Sequence, residues 1–515
     1  SASFPRLSLL LCLALVQQMV PAEHPAAIPA TGFAFERAFN PHWFPDDARQ
    51  WSAYDQSVLI TDFSRAEPVS ALTTGKRQKG KWKVVPFETA GFAGNALSIY
   101  QHTRPVPVII KLGRTGWHAV YVGLSTVSGG INLAQPSGVR CKLGSSGVYR
   151  RIANNLKLLE PRRDVIQEQF LTVANLGSDE TAEFAQLSSL PATVAYLRLV
   201  PLGESERLAW ERDSLGTDRR TSAATFDGHS WIWPHEPRRA EDLEENFEGF
   251  QQSDFGQWWF GILGADLVCY PTDVGTIAGI GTEDFPTEHH GSHAKSVLAL
   301  IANDVNPLKV ASATARSQGR EFHVFVRPQA WGASIPFEET FNSRFFLDHP
   351  EWRCVDREGR KTLFMSYAVP EVRRQIVDVL REAVEMAGAD GVGFFFNRGM
   401  PLMLWESPFA DRFLATYGVD IMSVGEEDFR IHELRATIMT ELLREVRDML
   451  DEVGRNGGRR LTITAATLTQ QRFNERFGLD VDTWVAEGLV DQLAPIVAYH
   501  TSDGVNKYGP PDLDY

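Results

Sequence analysis

The sequence predicts a multidomain chain, an N-terminal all-β sandwich followed by an α/β (β/α)8 barrel of the TIM type, and three observations predict it. From Phe33 to about Leu202, short runs of β-branched and aromatic residues alternate with Gly, Pro and Ser turn signals, the pattern of a sandwich. After Thr221 the rhythm changes to apolar strands separated by amphipathic helices, which implies a parallel sheet with crossover helices. No GxGxxG or GxxxxGK[ST] follows any predicted strand, so a nucleotide-binding sheet lacks its fingerprint and the barrel is the better reading. At 515 residues, 43% hydrophobic and 23% charged, the chain is globular in composition and long enough for several domains.

Taken in order, the chain starts at Ser1, and Arg6 is followed by an apolar run from Leu7 to Val20 and then Pro21-Ala22. A short positive region, an apolar stretch and small residues at the cut predict a secretory signal peptide over 1–22, hence a secreted or periplasmic protein. The run is too short to span a bilayer, and Leu11 before Cys12 argues against a lipid anchor. Residues 23–32, rich in Pro and Ala, read as a linker. The sandwich is placed at 33–203, with strands at Val106–Leu112, Trp117–Leu124, Gln169–Val173 and Thr193–Val200, and it resembles a carbohydrate-binding module. Residues 204–220 are charged and form a helix or linker.

The barrel is placed at 221–515. Its expected strands are Ala223–Asp227, Ala265–Tyr270, Glu321–Arg327, Gly391–Phe396, Leu461–Thr467 and Leu493–His500. Its expected helices are Glu241–Gln252, Ser292–Arg316 with a break at Pro307, Pro370–Met386, Ile431–Val453 and Val481–Glu487. Pro370 suits the first helical turn, where its missing N–H costs little. Only about six βα units are visible before Tyr515, so the barrel is expected to be incomplete in this sequence or closed in an unusual way.

Charge and cysteine content narrow the function. A net charge of −14 without a Lys/Arg block argues against nucleic acid and anionic membranes as partners. Cys141, Cys269 and Cys354 are far apart and show no CxxC spacing, so neither a zinc site nor a disulfide framework is expected, and no cofactor is implied. No GxSxG elbow supports a serine hydrolase of that type.

Several stretches resemble the glycosyl-hydrolase-like barrel proteins called glycosyl-hydrolase-like family ten. They are Asn306-Pro307-Leu308, Phe325-Val326-Arg327, His349-Pro350-Glu351-Trp352, Ser366-Tyr367-Ala368-Val369-Pro370-Glu371-Val372-Arg373, Asp390-Gly391-Val392, and Gly478-Leu479-Asp480 with Trp484 and Glu487-Gly488-Leu489-Val490-Asp491. The resemblance covers the chain from Asp227 to His500 and implies a barrel acting on carbohydrate. It departs at strand four, where related barrels carry acids in the manner of DGVELDFMR. Here the strand reads Gly391-Val392-Gly393-Phe394-Phe395-Phe396-Asn397-Arg398, which keeps the Arg and loses both acids.

In such barrels the chemistry sits on loops at the C-terminal ends of the strands. That rule selects Asp227 and His229 after strand one, Asp273 after strand two, Arg327 and Trp331 after strand three, Asn397, Arg398 and Glu406 after strand four, and Tyr499 and His500 after strand six. Glycoside hydrolysis needs two carboxyl groups, one to protonate the leaving oxygen and one to attack or to activate water. Glu406 and Asp227 are the expected pair, Glu406 because the apolar face of Trp405 beside it would raise a carboxyl pKa. Arg327, Arg398, Asn397, Trp331, Trp405, Tyr367, His229, Tyr499 and His500 are the expected substrate contacts, the arginines because a fixed fork of donors suits that task. Trp231 and Trp233 are further stacking candidates. Glu426-Glu427-Asp428 reads as N-terminal charge on a helix. Glu288-His289-His290 with His293 reads as a loop histidine cluster, since its spacing matches no standard metal site. The expectation is thus a glycoside hydrolase, with a non-catalytic carbohydrate-binding barrel as the alternative.

Overall fold

The structure, a computed structural model, describes residues 47–507 except 90, 102, 126, 130–132, 136, 148, 155–165, 188–189, 216–221, 231, 233–235, 251–252, 254, 397, 497 and 502–503. The expected signal peptide and linker, and Trp231, Trp233 and Asn397, lie outside the described residues.

Two sheets face each other in the N-terminal part. One has seven strands and is centred on Gly116–Ser125, which pairs antiparallel with Ile166–Leu176 on one side and Ala192–Pro201 on the other. The second has four strands, Arg150–Ala153, Gly138–Leu143, Thr181–Gln186 and Val108–Lys111. Along Val108–Lys111 the side chains alternate, Val108 and Ile110 buried and Ile109 and Lys111 exposed, the period of two expected of a strand with one face on a core. Trp82, Leu97, Val122, Cys141 and Phe184 fill the space between the sheets. The charged stretch after the sandwich folds as a helix, Glu204–Leu215, which sets Trp210 edge-on against Phe170.

The second part is built on six strands: β1 Ser222–Phe226, β2 Phe255–Gly261, β3 Glu321–Val326, β4 Gly391–Phe395, β5 Thr462–Ala466 and β6 Gln492–Leu493. They are all parallel and lie in chain order in one sheet. The described residues therefore form an arc of six strands, a half-barrel, rather than a closed ring of eight. The helices are α1 Ala240–Glu244, α2 Glu288–Ala302, α3 Pro307–Ser317, α4 Pro370–Ala387, α5 Ser407–Tyr417, α6 Phe429–Gly457, α7 Gln471–Phe477 and α8 Val481–Ala486; two further short ones, Glu338–Phe341 and Arg344–Asp348, lie in the segment after β3. In α4 the residues Val372, Ile376, Val379, Leu380, Ala383, Val384 and Ala387 recur at helical spacing and are buried against the sheet, each large one contributing about 2 kcal/mol by leaving water. Gly388, at φ 60°, ends that helix in the left-handed conformation.

Three expected elements are corrected. Strand two is the aromatic run Phe255–Gly261, not Ala265–Tyr270. The latter is a buried segment outside that sheet, in which only Leu267–Val268 is extended, pairing in parallel with Thr276–Ile277, while Ala265 N–H donates to the Ala330 carbonyl. A short apolar run cannot by itself distinguish a buried strand from a buried loop. The expected helix Glu241–Gln252 is only the short α1 followed by a single turn at Glu248–Phe250. The expected sixth strand divides: Gln492–Leu493 pairs with β5, while Ala498–Thr501 leaves the sheet and pairs with Arg398–Met400.

The two parts meet through buried charge. Arg140 on the four-stranded sheet makes a forked ion pair with Glu248, both largely buried, and Arg104 pairs with Asp242 at 3.1 Å.

Candidate functional site

A cavity of about 320 Å³ opens at the C-terminal ends of β1, β2 and β3, and its walls include Asp227, His229, Leu263, His290, Arg327 and Phe341. β1 ends at Phe226, and the next residue starts a turn that it closes itself. Asp227 Oδ1 accepts the N–H groups of His229 (2.9 Å) and Ser230 (2.7 Å), and Oδ2 accepts the Ser230 hydroxyl (2.6 Å). An Asp that bonds its own backbone two and three residues on is a natural turn former. Gly228 completes it at φ 78°, where a Cβ would lie 2.5 Å from the Gly261 carbonyl oxygen at the end of β2. Only glycine allows the two strand ends to approach so closely.

Arg327 follows β3. Its Nη1 donates to the carbonyl of Leu263 at 3.1 Å and reaches that of Asp227 at 3.5 Å, so one guanidinium ties the ends of β1, β2 and β3 together. The third wall comes from the first turn of α2. Thr287 caps it, and the Thr287 hydroxyl lies 2.6 Å from His290 Nδ1. The His290 ring stands edge-on to Phe341 at 5.1 Å. Behind it, His229 stacks on His293 at 4.3 Å, and His293 donates its Nε2–H to the Gly228 carbonyl at 3.1 Å.

The electrostatics follow from these contacts. Burial acts to raise the Asp227 pKa, but the Ser230 hydroxyl, the two amides and the Arg327 charge outweigh it and hold the carboxyl below its ordinary value. The histidines go the other way for a base. Burial first, and the neighbouring His293 second, push His229 down to about 3. Burial pushes His293 down to about 4. At neutral pH the walls therefore present one carboxylate, one guanidinium and uncharged imidazoles beside an apolar face.

The residues selected from the sequence divide into two groups. Asp227, His229 and Arg327 line this one cavity. Glu406 does not. It is 3% exposed and stands at the start of α5 without a side-chain bond to that helix; its carboxyl instead accepts the Ser366 hydroxyl (2.5 Å) and the amides of Leu404 (3.1 Å) and Val355 (3.3 Å). Burial raises its pKa, against those hydrogen bonds. Its position two residues before Pro408 reflects the start of a helix; the neighbouring Trp405 instead faces the Arg357 guanidinium, 4.7 Å from its ring. Trp331 and Tyr367 are fully buried, Trp331 5.5 Å from Phe345 and Tyr367 with its hydroxyl on the Pro328 carbonyl at 2.5 Å. Both hold the loop after β3 rather than face the cavity. Asp273 is on the loop after the Ala265–Tyr270 segment, away from the end of β2. Arg398 and His500 are neighbours in register, and Tyr499 stands opposite Asn506; their side chains lie outside the described residues.

The sequence reading missed His290, Leu263 and Phe341 as lining residues. The histidine cluster sits on the first two turns of a helix, not in a loop, and the Thr287 cap three residues before His290 was the available sign. Among the described residues no group of three or more His, Cys, Asp or Glu is placed to hold a metal ion. Asp428, by contrast, caps α6 through the Arg430 amide, as its charge cluster suggested.

No family model and no curated protein matches the chain, so the family-ten resemblance rests on its motif residues. The solved structures it resembles include glycoside hydrolases. One is a GH36 α-galactosidase, AgaA, from Geobacillus stearothermophilus, in complex with stachyose: 11% identity over 78% of this chain and 54% of that one, TM-score 0.30. Another is a noncanonic maltogenic α-amylase, AmyB, from Thermotoga neapolitana: 13% identity over 52% of this chain and 56% of that one, TM-score 0.25. A third is the Podospora anserina GH26-CBM35 β-(1,4)-mannanase: 10% identity over 85% and 86%, TM-score 0.20. The chain spans about half the length of the first two.

Proposed function

We propose that this chain binds carbohydrate in the cavity at the ends of β1, β2 and β3. The observation that carries the reading is the lining itself: a fixed carboxylate and guanidinium converge with uncharged imidazoles and the apolar Leu263 and Phe341 on a cavity of about 320 Å³. Sugars ask for that mixture, hydroxyl partners on one side and a flat apolar surface on the other. The leader-like residues 1–22 support a site of action outside the cytoplasm.

Isothermal titration of the full chain against a panel of oligosaccharides tests the reading. At least one glycan is expected to bind, and Phe341→Ala and His290→Ala are each expected to weaken it about tenfold, the loss of roughly 1.4 kcal/mol of contact. Absence of binding to every glycan, or binding indifferent to both changes, rejects it.

Hydrolysis of an O-glycosidic bond by carboxyl acid/base chemistry is the second reading. It is favoured by one feature, that Asp227 is held ionised, the state a nucleophile or base requires. It needs a second carboxyl, and the described lining residues provide only Asp227. Release of reducing ends that disappears in Asp227→Asn would place hydrolysis first. Glycan binding without release would leave the binding reading alone.

A further inference from the structure

The apolar side of the cavity does not stop at its mouth, and the meaning of its continuation rests on the carbohydrate reading. We infer that the ligand is an oligosaccharide longer than the cavity, whose outer units pass over the loop between Gly332 and Phe341 and stack on Phe337.

At about 320 Å³ the cavity stands near the lower end of the range for small-molecule sites, about 300–1,000 Å³. One loop leads out of it and back. It leaves the cavity wall with Gly332 and Ala333 and re-enters it with Phe341. Its base is closed by the Ala333 N–H, which donates to Asn342 Oδ1 at 2.7 Å, and its tip by the Phe337 N–H, which donates to the Ser334 carbonyl at 2.8 Å. Between these ends lies the apolar stretch Ile335-Pro336-Phe337, with Ile335 82% exposed and Phe337 half-buried. Apolar residues left in water as a contiguous run, rather than scattered singly, mark a contact surface.

Phe337 is joined to the cavity by its neighbours. It precedes the one-turn helix Glu338–Phe341, and the Phe341 N–H donates to its carbonyl at 3.0 Å. Phe337 and Phe341 are thus four residues apart on one helical turn and share a face. The His290 ring touches both, 5.4 Å from Phe337 and 5.1 Å from Phe341. His289 follows 4.0 Å from His290. Rings therefore run from the wall, at Phe341 and His290, out to the lip, at Phe337. A sugar unit presents C–H groups on its faces, and such a row offers successive units the same flat apolar support.

The test separates length from binding. Neutral ladders suit it, since Glu338 and Glu339 stand beside the outer ring and Asp227 and Arg327 offset each other in the wall. Ladders of β-1,4-glucan, β-1,4-mannan, β-1,4-xylan and α-1,4-glucan, from two units to six, are titrated into the full chain. In at least one ladder the longest member is expected to bind at least about tenfold tighter than the shortest that binds. Phe337→Ala is expected to cut that gain to about twofold or less. Phe337→Leu, which keeps apolar bulk and loses the ring, is expected to cut it nearly as far, and decides the matter if the Ala variant does not fold. Phe341→Ala, inside the cavity, is expected to weaken every length by a similar factor. Equal affinity along every ladder that binds, or a gain that survives both Phe337 changes, overturns the inference and leaves the cavity reading standing. So does a loss in the Phe337 variants that is the same at every length. Failure of every ladder to bind overturns it too, and takes the cavity reading with it if no other glycan binds.

Discussion

Asp227 and Glu406 stand in comparable places, each an acid in a segment that follows a strand of the parallel sheet, and the fold has used them in opposite ways. Asp227 is partly exposed in a cavity wall, and its hydrogen bonds are strong enough to keep it ionised despite burial. Glu406 is almost wholly enclosed, and burial dominates its donors and raises its pKa. A raised carboxyl pKa is the sign by which a general acid is sought. Here it marks the acid that lies outside the cavity wall, while the candidate ligand contact is the acid whose pKa is lowered. Geometry therefore has to precede titration when a site is assigned.

The largest expected effect breaks the Glu406 side of the comparison. Glu406→Ala strands the Ser366 hydroxyl and the Leu404 and Val355 amides, and removes the negative charge facing the buried Arg435. A loss of about 3–4 kcal/mol is expected, read as a lower urea midpoint with unchanged slope. Ligand affinity of the folded protein should stay as it was. A stable variant that no longer binds would reverse the assignment.

Next in size is the pH dependence of stability. His229 and His293 titrate near their ordinary 6.5 when unfolded, but at about 3 and about 4 when folded. Between those limits the unfolded chain binds the extra protons, so stability is full above 6.5 and declines as pH falls. Each ring contributes up to about 1.4 kcal/mol per pH unit. Glu406 tilts the curve the other way. Its folded pKa is raised, so the unfolded carboxyl ionises first, near 4.5, and stability falls as pH rises from there. Chemical denaturation across this range should show a flatter acid limb in His293→Gln. An unchanged limb would mean that the ring is charged in the folded state.

How far the sequence could see is measured by the same residues. Arg327 was legible because it directly follows a strand of clear apolar character, and Asp227 because Asp-Gly marks the turn after a short strand. α4 and α6 were legible because their buried faces keep helical spacing over several turns. β2 was not, since FGQWWFG and ADLVCY are both largely apolar and only the three-dimensional pairing with β1 and β3 decides between them. Glu406 misled because an acid beside a Trp and ahead of a Pro looks alike whether it guards a cleft or is buried at the start of a helix. The cavity's third wall was hidden for a different reason. His290, Leu263 and Phe341 come from three separate segments, and their convergence depends on Gly228 and Gly261 letting strand ends meet, a contact that has no periodic trace in the chain.

The smallest structural change separates the two roles Asp227 could have. In Asp227→Asn the side-chain oxygen can still accept the His229 and Ser230 amides, and the Ser230 hydroxyl can rotate to accept from the new amide group. The turn should survive, with a stability cost of about 1 kcal/mol or less. What disappears is the negative charge beside Arg327. If Asp227 serves only its turn, ligand affinity and its salt dependence will not move. If its charge tunes the cavity, affinity for an anionic glycan should rise relative to a neutral one of the same size. A loss of affinity for neutral and anionic glycans alike would instead make Asp227 a direct acceptor of sugar hydroxyls. Titration of one neutral and one anionic glycan separates the three outcomes.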